Sequence, residues 1–181
     1  MQLLFSRRIL SYVDRPCSTE LSNLWLDVII VVDNSQGMGI VRLTNVTSVE
    51  FYKQIQNVQV AANILDVFFN TSIGSNSSEP KTTCIGFITY NSNATLNVDL
   101  NKFQSSDSLF VDRVFNFLSN VAYSRDSFMG TGLPMAEQLL GRQGFGIGRD
   151  QYQNVIIVYA STYQNNKEFD PESIADRLKK S

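Results

Sequence analysis

Asp33, Asn34 and Ser35 follow directly on the unbroken apolar run Val28–Val32, and Gly37 and Gly39 come next. A carboxylate beside a hydroxyl can do three things. It can offer hard oxygen ligands to a divalent cation, serve as a carboxylate nucleophile in group transfer, or tie down backbone amides in a tight turn. Position places the cluster where chemistry or recognition is expected, while capping of backbone amides stays open beside it. A strand expected over about Trp25 to Val32, with the β-branched run Val28–Val32 unbroken at its end, reads as buried on both faces of a parallel sheet. In open α/β sheets ligands bind at the carboxyl ends of such strands.

Composition removes many alternatives. The 181 residues contain no histidine, so Ser-His-Asp and Cys-His nucleophile systems and nearly all zinc sites with nitrogen ligands are excluded. The formal net charge is −2, with Lys and Arg scattered, so no electrostatic argument points to nucleic acid. Cys17 and Cys84 are the only cysteines, too few for a disulfide scaffold or a four-cysteine metal site. Whether they pair is left open; a buried thiol at Cys84 is the plainer reading. No apolar stretch approaches a bilayer span. Arg7-Arg8 splits the apolar N-terminus, so it does not read as a secretory signal. Four N-glycosylation sequons nonetheless occur, at Asn45, Asn70, Asn76 and Asn93.

The elements that must position Asp33 and Ser35 follow from periodicity. Residues 1–23 lack it and contain Pro16, predicting an irregular arm. A helix is expected over about 48–69, with apolar residues at three- and four-residue spacings, then a surface loop through Pro80. Strands at about Thr82–Tyr90 and Ala94–Leu100 flank the turn Asn91-Ser92-Asn93, predicting a hairpin and an antiparallel edge. Helices are expected over about 106–121, with Ser105 or Ser106 as cap, and over about 133–140, with Pro134 in its first turn. The glycine-rich segment 141–148, a strand at 154–160 and a helix opened by Asp170-Pro171 complete the order β-α-β-β-α-α-β-α. That order predicts an α/β, Rossmann-like, doubly wound and mostly parallel sheet with one antiparallel edge. The expected domain covers 24–181. Ending on a helix, it reads as C-terminally truncated, short of a last strand and helix.

A strand ending in Asp33-x-Ser35-x-Gly37, a helix entered through Gly130-Thr131-Gly132-Leu133, and this alternation together resemble the von Willebrand factor A domain. The phrases Asn23-Leu-Trp-Leu-Asp-Val-Ile-Ile-Val-Val-Asp-Asn-Ser35, Ile88-Thr-Tyr-Asn-Ser-Asn-Ala-Thr95 and Val155-Ile-Ile-Val-Tyr-Ala-Ser161 are similar to A domains that accompany C-type lectin domains in nematode proteins. The resemblance implies a metal-ion-dependent adhesion site built on Asp-x-Ser-x-Ser, a Thr and a later Asp. Carried over, Asp33, Ser35 and Thr131 match, while Gly37 and Ser161 stand where the second Ser and the Asp belong. Such a site is degraded. With one carboxylate it is expected to hold Mg²⁺ weakly or not at all, unless Asp126 supplies a second.

The expected function is therefore non-catalytic: an extracellular, secreted and glycosylated recognition or adhesion module binding a protein or glycan partner. The alternative is a structural spacer of a C-type-lectin-type protein, with no metal or ligand of its own and with Asp33 and Ser35 merely capping amides. A remoter alternative is a hydrolase using Asp33 as nucleophile. It lacks the second Asp such sites carry two residues on, where Ser35 stands. Gly37-Met38-Gly39 lacks the third glycine of a dinucleotide fingerprint.

Overall fold

In the computed structural model the described residues are 2–6, 26–38, 59–64, 66, 68, 73, 83–100, 107–119, 122, 124–141, 153–162 and 170–180. Five strands form one sheet: β1 (Gln2–Ser6), β2 (Leu26–Asp33), β3 (Cys84–Tyr90), β4 (Ala94–Val98) and β5 (Gln153–Tyr159), in the order β1-β5-β2-β3-β4. The helices are α1 (helical positions 59–64, 66 and 68), α2 (Asp107–Ser119), α3 (Met129–Gly141) and α4 (Pro171–Lys180).

β2 is central and parallel to both neighbours, with Asp33 opposite Tyr90 of β3 and Val32 opposite Tyr159 of β5. Its alternate side chains feed two cores, as a period of two requires. Val28, Ile30 and Val32 pack with Phe87, Ile64 and Phe68 of α1, and Val114 and Leu118 of α2. Ile29 and Val31 pack on the other face with Leu133 and Ala136 of α3 and Ile174 and Leu178 of α4. Each fully buried aliphatic side chain contributes about 1.5–3 kcal/mol. The rings of Phe87 and Phe117 stack at 5.8 Å across the first core.

The expected hairpin and its antiparallel edge are β3 and β4, with a register shift between Phe87 and Ile88. Asn91 closes the turn: its backbone N–H donates to the Asn93 carbonyl at 3.0 Å, and its Oδ1 accepts from Asn93 N–H and Ser92 Oγ, both at 3.1 Å. α4 opens as predicted, with Pro171 at its first position and Asp170 Oδ1 accepting from Glu172 N–H at 3.1 Å.

Two expectations need correcting. The segment read as an irregular arm contains β1, which pairs antiparallel with β5 from Gln2↔Tyr159 to Ser6↔Val155. The outer side of β5 presents unpaired N–H and C=O groups, and a short extended segment satisfies them. The sheet thus has a second antiparallel strand at its other edge. Secondly, α3 begins at Met129, four residues before the expected start, so Pro134 lies inside it. Packing explains the early start. A Cβ on Gly132 would stand 2.8 Å from Val31 Cγ1 and 3.3 Å from Tyr90 Cδ1, so a helical glycine is what lets α3 seat this closely on β2 and β3.

Of the remaining expectations, Cys17, Asn45, Asn70, Asn76, positions 48–58 of the expected 48–69 helix, the Ser105/Ser106 cap, most of the 70–80 loop and positions 142–148 of the glycine-rich segment lie outside the described residues. Cys84 is buried in β3.

Candidate functional site

Asp33 ends β2 with its carboxylate 1% exposed, and Ser35 two residues on is fully buried. The chain turns away through Asn34, whose N–H donates to the Tyr90 carbonyl at 2.8 Å, and a single 3₁₀ turn, Gln36–Met38. A buried carboxylate is tolerable only when its oxygens find donors, and Asp33 finds four. Oδ1 accepts from Ser35 N–H at 2.8 Å. Oδ2 accepts from Ser127 Oγ at 2.6 Å, from Ser161 N–H at 3.2 Å, and from Ser161 Oγ in a short contact. Ser35 Oγ in turn accepts from Gly37 N–H at 3.2 Å.

Three segments therefore converge on one side chain: the turn after β2, the loop before α3, and the second residue after β5. Backbone bonds hold the loops in place. Gln36 N–H donates to Ser124 O at 2.8 Å, Ala122 N–H to Asn34 O at 2.8 Å, and Phe128 N–H to Asn91 O at 2.9 Å. Asn91 Nδ2 adds a bond to Asn34 Oδ1 at 2.9 Å.

The structure brings together Asp33, Ser35, Gly37 and Ser161. A Cβ on Gly37 would collide with Ser161 Oγ and stand 3.4 Å from Ser35 Oγ, so the absent side chain at 37 makes room for the Ser161 hydroxyl. Thr131 plays another part. It sits in the first turn of α3, where its N–H and Oγ1 both donate to the Phe128 carbonyl, at 3.0 and 2.8 Å. The hydroxyl that reaches Asp33 from this loop belongs to Ser127, which the sequence reading passed over. Because α3 starts at Met129, Thr131 turns back onto its own helix, and the residue two before the helix faces the strand end. Asp126 is exposed, its N–H donating to Ser124 Oγ at 3.1 Å.

Tyr90 was also missed. Its hydroxyl is buried without a hydrogen-bond partner among the described residues. Burial first, and then the Asp33 carboxylate, push its pKa above the ordinary tyrosine value. Its register opposite Asp33 is the signal that could have found it.

The fit to a divalent cation is poor. The oxygens are of the hard type that Mg²⁺ and Ca²⁺ accept, but carboxylates must offset the ion's charge, one or two beside several waters for Mg²⁺ and commonly more for Ca²⁺. Here Asp33 is the one carboxylate in the cluster, and three donors already occupy its Oδ2. No group of three or more His, Cys, Asp or Glu side chains suited to a metal occurs among the described residues.

The sequence profile of the von Willebrand factor type A domain matches residues 27–181. The chain belongs to that family, whose members are generally non-catalytic modules of adhesion and protein interaction. No curated protein is similar enough in sequence to count as a relative. Among solved structures, it is similar to proximal thread matrix protein 1 from the mussel byssus, determined with zinc in its metal-ion-dependent adhesion site. The match has 17% identity and a TM-score of 0.60, covering 99% of this chain and 35% of that one. A second crystal form of the same mussel protein aligns at 19% identity and a TM-score of 0.46, over 62% of this chain and 24% of that one. The likeness supports the fold. The chain spans about a third of the mussel protein's length. No helix among the described residues is long and apolar enough to cross a membrane.

Proposed function

We propose that this domain is an extracellular recognition module that binds a protein or glycan partner through the loops at the carboxyl end of its sheet, with a divalent cation contributing weakly or not at all. One observation carries the reading: Asp33 ends the central strand and is tied by hydroxyl groups to two further segments, which fixes three loops as one rigid surface. Pre-organised loops lose little entropy on binding, so affinity does not require an ion to assemble them. The family's usual role, the four sequons and the matrix setting of the mussel protein support an extracellular location.

The same geometry argues against the hydrolase. A carboxylate whose lone pairs are engaged by four donors, 1% exposed, is a poor nucleophile. The spacer reading keeps one observation in its favour, since those bonds are also what a purely structural aspartate would make.

Arrays of extracellular-matrix proteins and glycans test the proposal. Binding should be lost in the rim variant Arg125→Ala/Asp126→Ala and kept in Arg177→Ala on α4. A fully folded domain that binds nothing, and shows no heat with Mg²⁺ or Mn²⁺ by calorimetry, would leave the spacer reading in possession.

A further inference from the structure

We propose that Asn93 carries an N-linked glycan, and that this glycan borders the recognition end of the sheet and limits which partners reach the loops around Asp33. The inference rests on the extracellular reading above and adds to it a specific modification and its consequence.

Asn93-Ala94-Thr95 is the one sequon that falls within the described residues. Asn93 is exposed at the tip of the β3–β4 hairpin, and Thr95 is exposed on β4, the outermost strand of that side of the sheet. A folded domain can carry a bulky polar substituent only where the side chain already points into solvent. Asparagine is common in turns because its side chain completes the turn, and that plainer explanation fails here. The turn is completed by Asn91, whose Oδ1 accepts from Asn93 N–H and Ser92 Oγ. Asn93 takes part through its backbone, and its side-chain amide makes no hydrogen bond among the described residues. The turn therefore uses one asparagine and leaves the sequon's amide unspent.

Placement gives the modification its consequence. Two residues before Asn93, the Asn91 carbonyl accepts from Phe128 N–H at 2.9 Å, and Asn91 Nδ2 donates to Asn34 Oδ1 at 2.9 Å. Phe128 adjoins Ser127, and Asn34 lies between Asp33 and Ser35. The hairpin tip is thus bonded to two of the three segments that close on the carboxylate, and a sugar on Asn93 stands at their rim. Arg125 and Asp126, exposed in the loop before α3, are the residues it would screen.

The full chain, directed into the secretory route of eukaryotic cells by a cleavable leader, is digested after enzymatic deglycosylation in heavy-oxygen water, which marks each glycosylated Asn as a labelled Asp. The peptide bearing residue 93 should carry the label in the wild type and in Thr95→Ser, and lose it in Asn93→Gln and Thr95→Ala. Tryptic cleavage after Arg125 in the folded, glycosylated protein should be roughly three-fold or more slower than in Asn93→Gln. Sugar at other sequons with none at Asn93 overturns the inference and leaves the extracellular reading standing. Equal cleavage rates overturn the screening of the rim. A chain that is retained and degraded instead of secreted overturns the extracellular reading itself.

Discussion

Replacing Asp33 by Asn separates a carboxylate locked by its own protein from one held ready for an ion. The amide is nearly isosteric with the carboxylate, so the change is one of hydrogen bonding and charge. Its oxygen does best at the Oδ2 position, where it keeps Ser127 Oγ, Ser161 N–H and Ser161 Oγ as donors. Its NH₂ then faces Ser35 N–H, a donor against a donor, and the bond at 2.8 Å is lost. Hydrogen bonds to a charged group contribute about 1.5–3 kcal/mol and neutral ones about 0.5–1.5, while an orphaned buried donor costs about 1–3. The three donors share one oxygen, so their weakening does not add in full. Together these figures give a net loss of about 2–4 kcal/mol. For a domain of this length the melting temperature should fall on the order of 5–15 °C. Ser161→Ala, which removes a single donor, should cost about 1–2 kcal/mol. Urea unfolding at neutral pH, with equal slopes for wild type and variants, measures both. A carboxylate poised for a cation and uncompensated without it would gain stability on losing its charge. An Asp33→Asn variant as stable as wild type, or more stable, would therefore refute the lock.

Gly132→Ala should lose about 1 kcal/mol: overpacking against Val31 Cγ1 at 2.8 Å costs about 1–3, and better helix propensity returns about 1. Gly141→Ala, whose new methyl meets nothing within 4 Å, should lose nothing, and equal urea midpoints for the two would contradict the close seating of α3. Tyr90→Phe deletes a buried hydroxyl that has no partner among the described residues, so stability should hold or rise by about 1 kcal/mol; a drop beyond 1 kcal/mol would show that the hydroxyl is satisfied in solution. Glu137 and Arg177 pair across α3 and α4 at 2.9 Å, and the hydrogen bond from Arg177 lowers the Glu137 pKa. A lowered folded-state pKa means that the pair's small stabilisation is complete above the ordinary glutamate pKa and fades as pH falls through the folded value. The stability difference between wild type and Glu137→Gln should therefore shrink on acidification, and a difference that grows would reverse the sign.

The sequence made the frame of this domain readable because burial writes itself into side-chain type. The apolar runs of β2, β3 and β5 can be satisfied only inside a covered sheet, and Asn91-Ser92-Asn93 can be little but a turn. Asp33 and Ser35 stood out because they interrupt such a run at the end where α/β sheets bind. β1 did not stand out. A five-residue strand is too short to show a clear period, and its pairing depends on an open edge contributed by β5, more than a hundred residues away.

Ser127 was illegible for a more instructive reason. Reading the loop required knowing where α3 begins, and composition argued for a late start: Gly130 and Gly132 are poor helix formers, and Pro134 suits a first turn. Packing outweighs that preference, because Gly132 must be helical for α3 to lie against Val31 and Tyr90. Once the helix starts at Met129, Thr131 is committed to the Phe128 carbonyl, and the hydroxyl left facing the strand end is Ser127. The identity of the residue that holds Asp33 is thus decided by a helix–sheet distance. The same holds at the opposite side of the carboxylate, where the missing Cβ of Gly37 leaves room for Ser161 Oγ. Two glycines, neither bearing a functional group, determine which hydroxyls surround the buried Asp33 carboxylate. It follows that adding a methyl at either position should alter the site before any polar residue in it is touched.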